Sequence, residues 1–192
     1  MFSLIAGPLC HRLGRKPVIL IASLLFTVGA LVMGFAVDKY ALVTGRLIVG
    51  AGIGFASMSV PVYISEAAPS RHRGVLVGCN QLAIAAGQFV AACVAGAFAE
   101  VNPNGWKWML GLSAVPSMVQ LVGFSLMPES PRWLVSQDRL EEAKKILFQI
   151  RKYEDNTLKE MEDIMAAVQA ENKFSNLNCC ETILKVSPAV CI

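Results

Sequence analysis

The sequence predicts an all-α polytopic membrane protein, and three observations carry that prediction. Of its 192 residues, 55% are hydrophobic and only 16% are charged, where a soluble domain carries about 25% charged residues. The charges gather in a few short stretches and in the last third, which leaves the rest of the chain close to purely apolar. Four of the apolar runs reach the ~20 residues that a helix needs to cross a hydrocarbon core.

Taken in order, residues 1–10 read as the end of a membrane helix. Met1 to Leu9 is apolar but has neither the basic start nor the small-residue cleavage site of a signal peptide. Residues 18–37, between Arg15-Lys16-Pro17 and Asp38-Lys39, are the first full membrane helix. Residues 42–64, 75–99 and 108–127 are the next three. A buried helix of a large soluble protein is the alternative for any one run, but four in succession with short charged breaks do not suit it. At Pro128-Glu129-Ser130-Pro131 one helix ends on a proline and another begins, with Ser130 as N-cap and Pro131 at the first helical position. Residues 131–172 form a helical segment outside the membrane. There Asp138 and Glu141 make a capping pair, and Leu140, Ala143, Leu147 and Ile150 share a face. A further helix starts near Thr157, with Leu158, Met161, Met165 and Val168 on one side, and 173–192 is a poorly defined tail.

Positive charge in the short loops sets the orientation. Arg12, Arg15 and Lys16 fill one loop and Arg71 and Arg73 another, against Lys39 and Lys107 in the alternate loops. The arginine-rich loops, and the segment after Met127, therefore fall in the cytosol, and Trp106 and Trp108 at the outer interface.

Several function classes drop out. A net charge of +3 with no long basic run argues against nucleic acid as a partner. The six cysteines lack ligand-like spacing and the two histidines are scattered, so neither a metal nor another cofactor is expected. The Cys179–Cys180 pair lies in a segment placed in the cytosol, where a disulfide framework does not form. No G-x-S-x-G elbow, H-E-x-x-H pair or phosphate loop suggests an enzyme.

Polar and small residues inside the spans supply the candidate sites. Arg46, Gly50, Gly54, Ser57 and Pro61 step along one face of the second full span, and Gly74, Gly78, Gln81, Ala85, Gln88 and Ala92 along one face of the third. Such stripes mark close helix approach and a bundle interior. Gln81, with Asn80 beside it and Gln88 two turns on, has two readings. One is hydrogen bonding between helices; the other is binding of hydroxyl groups by an amide that offers donors and an acceptor together. Arg46 lies near the outer end of its span, where it either snorkels or finds a counter-charge. Arg12, Arg15, Glu66, Arg73, Glu129 and Arg132 all sit at inner span ends. They read either as a solvated rim or as ion pairs bridging helices that must later separate. The acids favour bridging, since the positive-inside rule does not call for them.

These residues also spell out a family pattern. G-P-L-C-H-R-L-G-R-K at Gly7 to Lys16 resembles the cytosolic loop motif of the major facilitator superfamily. Gly45-Arg46 through Gly54, P-V-Y-I-S-E at Pro61 to Glu66, Arg73-Gly74, and P-E-S-P-R-W at Pro128 to Trp133 resemble the sugar porter family. The finer likeness is to animal proton-coupled myo-inositol cotransporters. The resemblance implies part of the N-terminal half of a major facilitator fold: the end of helix 2, helices 3–6 and short cytosolic helices. It implies transport of a hexose or myo-inositol by alternating access, with protons as a candidate co-substrate and the plasma membrane as host. Gln81 would hydrogen-bond the sugar, Arg46 would serve coupling or gating, and the six inner charges would latch the outward-open state. His11 stands where many members carry an acid, which puts one corner of the latch in doubt. The first helix and the second half have no counterpart here, so the chain reads as a fragment, inactive without the remainder of the transporter. The rival readings are a truncated interaction protein that regulates a full-length carrier, and a sugar-sensing receptor on the same scaffold.

Overall fold

The computed structural model describes residues 2–69, 72–99, 105–151 and 161–168, and among these residues it is entirely helical. The helices are α1 (Phe2–Leu13), α2 (Arg15–Gly34), α3 (Lys39–Ala67), α4 (Arg73–Ala99), α5 (Gly105–Leu112), α6 (Ala114–Leu126), α7 (Pro131–Ser136) and α8 (Leu140–Arg151). The chain divides into two units, residues 1–130 and 131–192. Among the described residues four helical stretches are long and apolar enough to cross a membrane: Arg15–Gly34, Lys39–Ala67, Arg73–Phe98, and the α5–α6 pair over Lys107–Leu126.

In the first unit α2 is the central rod, packed against α1, α3, α5 and α6. Its buried residues (among them Val18, Ile19, Ala22, Ser23, Thr27 and Met33) therefore lie on more than one side. Its hydroxyls bury without orphan donors, since Ser23 Oγ donates to the Ile19 carbonyl and Thr27 Oγ1 to the Ser23 carbonyl, each at 2.9 Å. The α2–α3 seam is made by glycine. A Cβ on Gly45 would meet Met33 Cγ at 2.5 Å, one on Gly29 would meet Val49 Cγ2 at 2.6 Å, and one on Gly52 the Ala22 carbonyl at 3.2 Å. Gly45, Gly52 and Ser59 repeat every seven residues and are buried, with Tyr63 one turn beyond.

This seam is made by other small residues than the stripes the sequence singled out. The stripe through Arg46, Gly50, Gly54, Ser57 and Pro61 lies on the side of α3 turned away from that seam. Arg46, Gly50 and Ser57 are exposed there, and nothing lies within 4 Å of a Cβ built on Gly50. The stripe on α4 is likewise open, with no atom within 4 Å of a Cβ on Gly74 or Gly78. One helix face buries against one neighbour, and the two stripes, whose centres lie about 160° apart around the axis at ~100° per residue, cannot both meet α2.

The fourth apolar run is one continuous stretch in sequence but two helices in structure, interrupted at Ser113. Pro116 explains the break. It has no N–H to give the Leu112 carbonyl, and its ring crowds that carbonyl.

In the second unit, α7 begins at Pro131 as expected and packs against α8. Asp138 does not start a helix as the capping pattern predicted. It has φ 59° and closes α7: its N–H donates to the Val135 carbonyl at 3.1 Å, and the Arg139 N–H to the Leu134 carbonyl at 3.0 Å. These two bonds are a Schellman ending, with Asp138 as the left-handed residue. Leu134, Val135, Ala143 and Leu147 bury together with Met161 and Val168. Residues 161–168 are helical. The expected helix start near Thr157 and the tail 173–192 lie outside the described residues.

Candidate functional site

Two places in the first unit gather the residues that the sequence singled out. At the arginine-bearing end, α1 finishes, α2 starts, and α3 and α6 finish around one cluster. Arg15 Nη2 donates to Glu66 Oε1 at 2.8 Å, and both side chains are largely buried, with 14% and 7% of their surface exposed. Arg15 Nη1 donates to the Cys10 carbonyl at 3.2 Å, while its buried Nε has no acceptor among the described residues. Glu66 is held twice, because Ser130 Oγ donates to its other oxygen at 2.6 Å. A buried ion pair is tolerable when its remaining lone pairs are satisfied in this way.

Glu129 belongs to the same cluster but bonds differently. Its carboxylate accepts the backbone N–H of Arg15 at 3.1 Å, of Lys16 at 3.0 and 3.2 Å, and of Ser130 at 2.9 Å. Arg15 and Lys16 open α2, where N–H groups have no intrahelical partner and the helix dipole favours an anion. Gly14 makes the approach possible. Its φ of 101° and ψ of 169° suit glycine alone, and a Cβ there would stand 2.6 Å from Glu129 Oε2.

Of the six inner charges, then, the structure brings Arg15, Glu66 and Glu129 together. Arg12 in the last turn of α1 and Arg73 at the start of α4 are exposed, and among the described residues neither forms an ion pair. Arg132 is the second residue of α7, in the other unit. Three contributors went unread in the sequence. Ser130, Gly14 and Tyr63 stand inside the family motifs, but nothing in the sequence says what they bond; the Tyr63 hydroxyl donates to the Pro128 carbonyl at 2.9 Å. Tyr63 also meets Phe124 edge to face, with ring centroids 5.7 Å apart.

The second place is the open face of α4. Gln81 and Gln88 are exposed, seven residues apart on one side of the helix, and Asn80 is half-buried. Arg46, in the N-terminal part of α3, is exposed as well. A separate cavity of ≈ 250 Å³ lies between α2, α3 and the α5–α6 break, lined by Phe26, Val49, Ser113, Pro116, Ser117 and Gln120. Among the described residues no cluster of histidine, cysteine or carboxylate could hold a metal ion.

Comparison with known proteins decides the family. A family model described as sugar (and other) transporter matches residues 1–187. The chain belongs to the sugar transporter family. Within it, the chain is 50% identical over 149 residues to a proton myo-inositol cotransporter of Homo sapiens, covering 78% of this chain and 23% of that protein. It is 44% identical over 165 residues to the glucose transporter GlcP of Staphylococcus epidermidis, covering 84% of this chain and 36% of the relative. Among solved structures, the xylose transporter XylE from E. coli in a partially occluded inward-open conformation matches with a TM-score of 0.82 at 28% identity, over 88% of this chain and 45% of XylE. The chain thus spans between 23% and 36% of these curated relatives' length. The expected sugar porter resemblance and the all-helical part of a major facilitator fold both stand, and the protein is a multi-pass membrane protein.

Proposed function

We propose that these helices form part of a transporter that moves a hexose or myo-inositol across the plasma membrane by alternating access, with protons as co-substrate. The observation that carries this reading is the uncovered amide face of α4. Gln81 and Gln88 stand exposed on an otherwise apolar span, and among the described residues no neighbour takes up their donors and acceptors. An amide in a membrane span that is not spent on packing faces a polar pathway, and its paired donor and acceptor match the vicinal hydroxyls of a polyol. Asn80 lies beside that face, and Arg46 serves gating from the outer part of α3. The Arg15–Glu66 pair at the cytosolic end closes the inner side of the pathway, with Arg12, Arg73 and Arg132 completing the latch against further helices. Half identity to a proton myo-inositol cotransporter supports both the polyol and the proton.

On this reading transport needs a wall opposite the open face of α4, which the described residues do not supply. The test uses a complete transporter that contains these helices, reconstituted in liposomes. Gln81→Ala raises KM for myo-inositol or glucose about tenfold or more, the worth of one lost hydrogen-bonding partner to a sugar hydroxyl, and changes kcat less. Unchanged uptake kinetics would remove Gln81 from the pathway.

A further inference from the structure

The cluster at the arginine-bearing end contains two kinds of bond, and the difference assigns its members different work. Arg15 and Glu66 meet side chain to side chain at 2.8 Å, and Ser130 adds a hydroxyl at 2.6 Å. Side chains of this kind change rotamer and partner while the backbone stays put. Glu129 instead accepts from three backbone N–H groups, two of them in the first turn of α2. It cannot leave them without exposing unsatisfied amides at a helix start. Two more contacts fix the same stretch of chain through its carbonyls: Lys16 Nζ donates to the Ser125 carbonyl at 2.9 Å and Tyr63 Oη to the Pro128 carbonyl at 2.9 Å. Gly14 is shaped around the carboxylate and would exclude it with any side chain of its own.

We propose that Glu129 is a positioning residue: it pins the start of α2 to the end of α6 permanently, and so aims Arg15 at Glu66, while the Arg15–Glu66 contact alone opens and closes. Glu129 is then a fixed joint of the latch and not one of its breakable ion pairs. The functional meaning rests on the transport reading above, but the predicted bonding does not. It is measured on this chain in detergent, with no transport assay, so the two can fail separately.

The experiment follows two observables. One is hydrogen exchange at the Arg15 and Lys16 amides. The other is the alkylation rate of Cys10, buried beside Arg15, by a maleimide, with the other cysteines replaced by serine. Glu66→Gln speeds Cys10 alkylation by about tenfold and leaves both amides within about twofold of the parent protein. Glu129→Ala speeds exchange at both amides by about tenfold or more, and Glu129→Gln, which keeps an acceptor oxygen, restores most of the protection. Where Glu129→Ala fails to fold, Gly14→Ala displaces the carboxylate without removing it and makes the same comparison. The proposal is overturned if Glu66→Gln frees the amides as far as loss of Glu129 does, or if they stay protected once Glu129 is removed or displaced.

Discussion

Gly14 carries an unusual share of the structure for a residue with no side chain. It takes a backbone conformation that other residues avoid, and it lets a carboxylate from more than a hundred residues away reach the start of α2. Gly14→Ala therefore costs about 2–3 kcal/mol, from backbone strain together with displacement of Glu129. Unfolding of the chain in detergent micelles, followed by circular dichroism, checks the figure. The charged residues here were legible in the sequence because a charge at the end of an apolar span has few explanations. What each charge bonds was not. An acid reads the same in sequence whether its acceptors meet a guanidinium, as for Glu66, or backbone amides, as for Glu129. That choice is made by Gly14 and by the path of the chain through Pro128, both distant from one partner or the other.

At the scale of the helix, length and hydropathy were enough to find each span, since crossing a bilayer demands both. The packing face was harder. Along α3, Gly45, Gly52 and Ser59 form one stripe, and Arg46, Gly50, Gly54 and Ser57 another on nearly the opposite side. Between apolar helices in lipid no hydropathy contrast tells a packed stripe from an open one. Substitution separates them. Gly45→Ala forces Met33 aside and costs about 1–3 kcal/mol. Gly50→Ala meets nothing and stabilises the helix by about 0.5–1 kcal/mol. Thermal unfolding of the two variants in one detergent gives opposite signs. A destabilised Gly50→Ala protein would place a neighbour against that face.

For the molecule as a whole, four apolar helices with exposed Leu, Val and Phe along them require a nonpolar solvent. Diluted from detergent into plain buffer, the chain aggregates, and light scattering records it. With every native cysteine replaced, a cysteine at position 73 is labelled by an impermeant maleimide only from the cytosolic side of sealed vesicles, as the positive-inside rule requires. Labelling from the opposite side would invert the proposed arrangement of latch and gate.

The interruption at Ser113 bears on how the chain enters a bilayer. Pro116 leaves the Leu112 carbonyl without its helical donor in mid-span, and a bare polar group in hydrocarbon is costly. The polar surroundings near the gap come from a helix made earlier: the Ser117 hydroxyl, just past it, lies 3.0 Å from the buried Thr27 hydroxyl on α2. During synthesis, α2 is therefore already embedded when the broken span emerges from the ribosome. Vectorial translation delivers the receptor before the segment that needs it, so a reordered gene with the broken span first would stall at membrane integration.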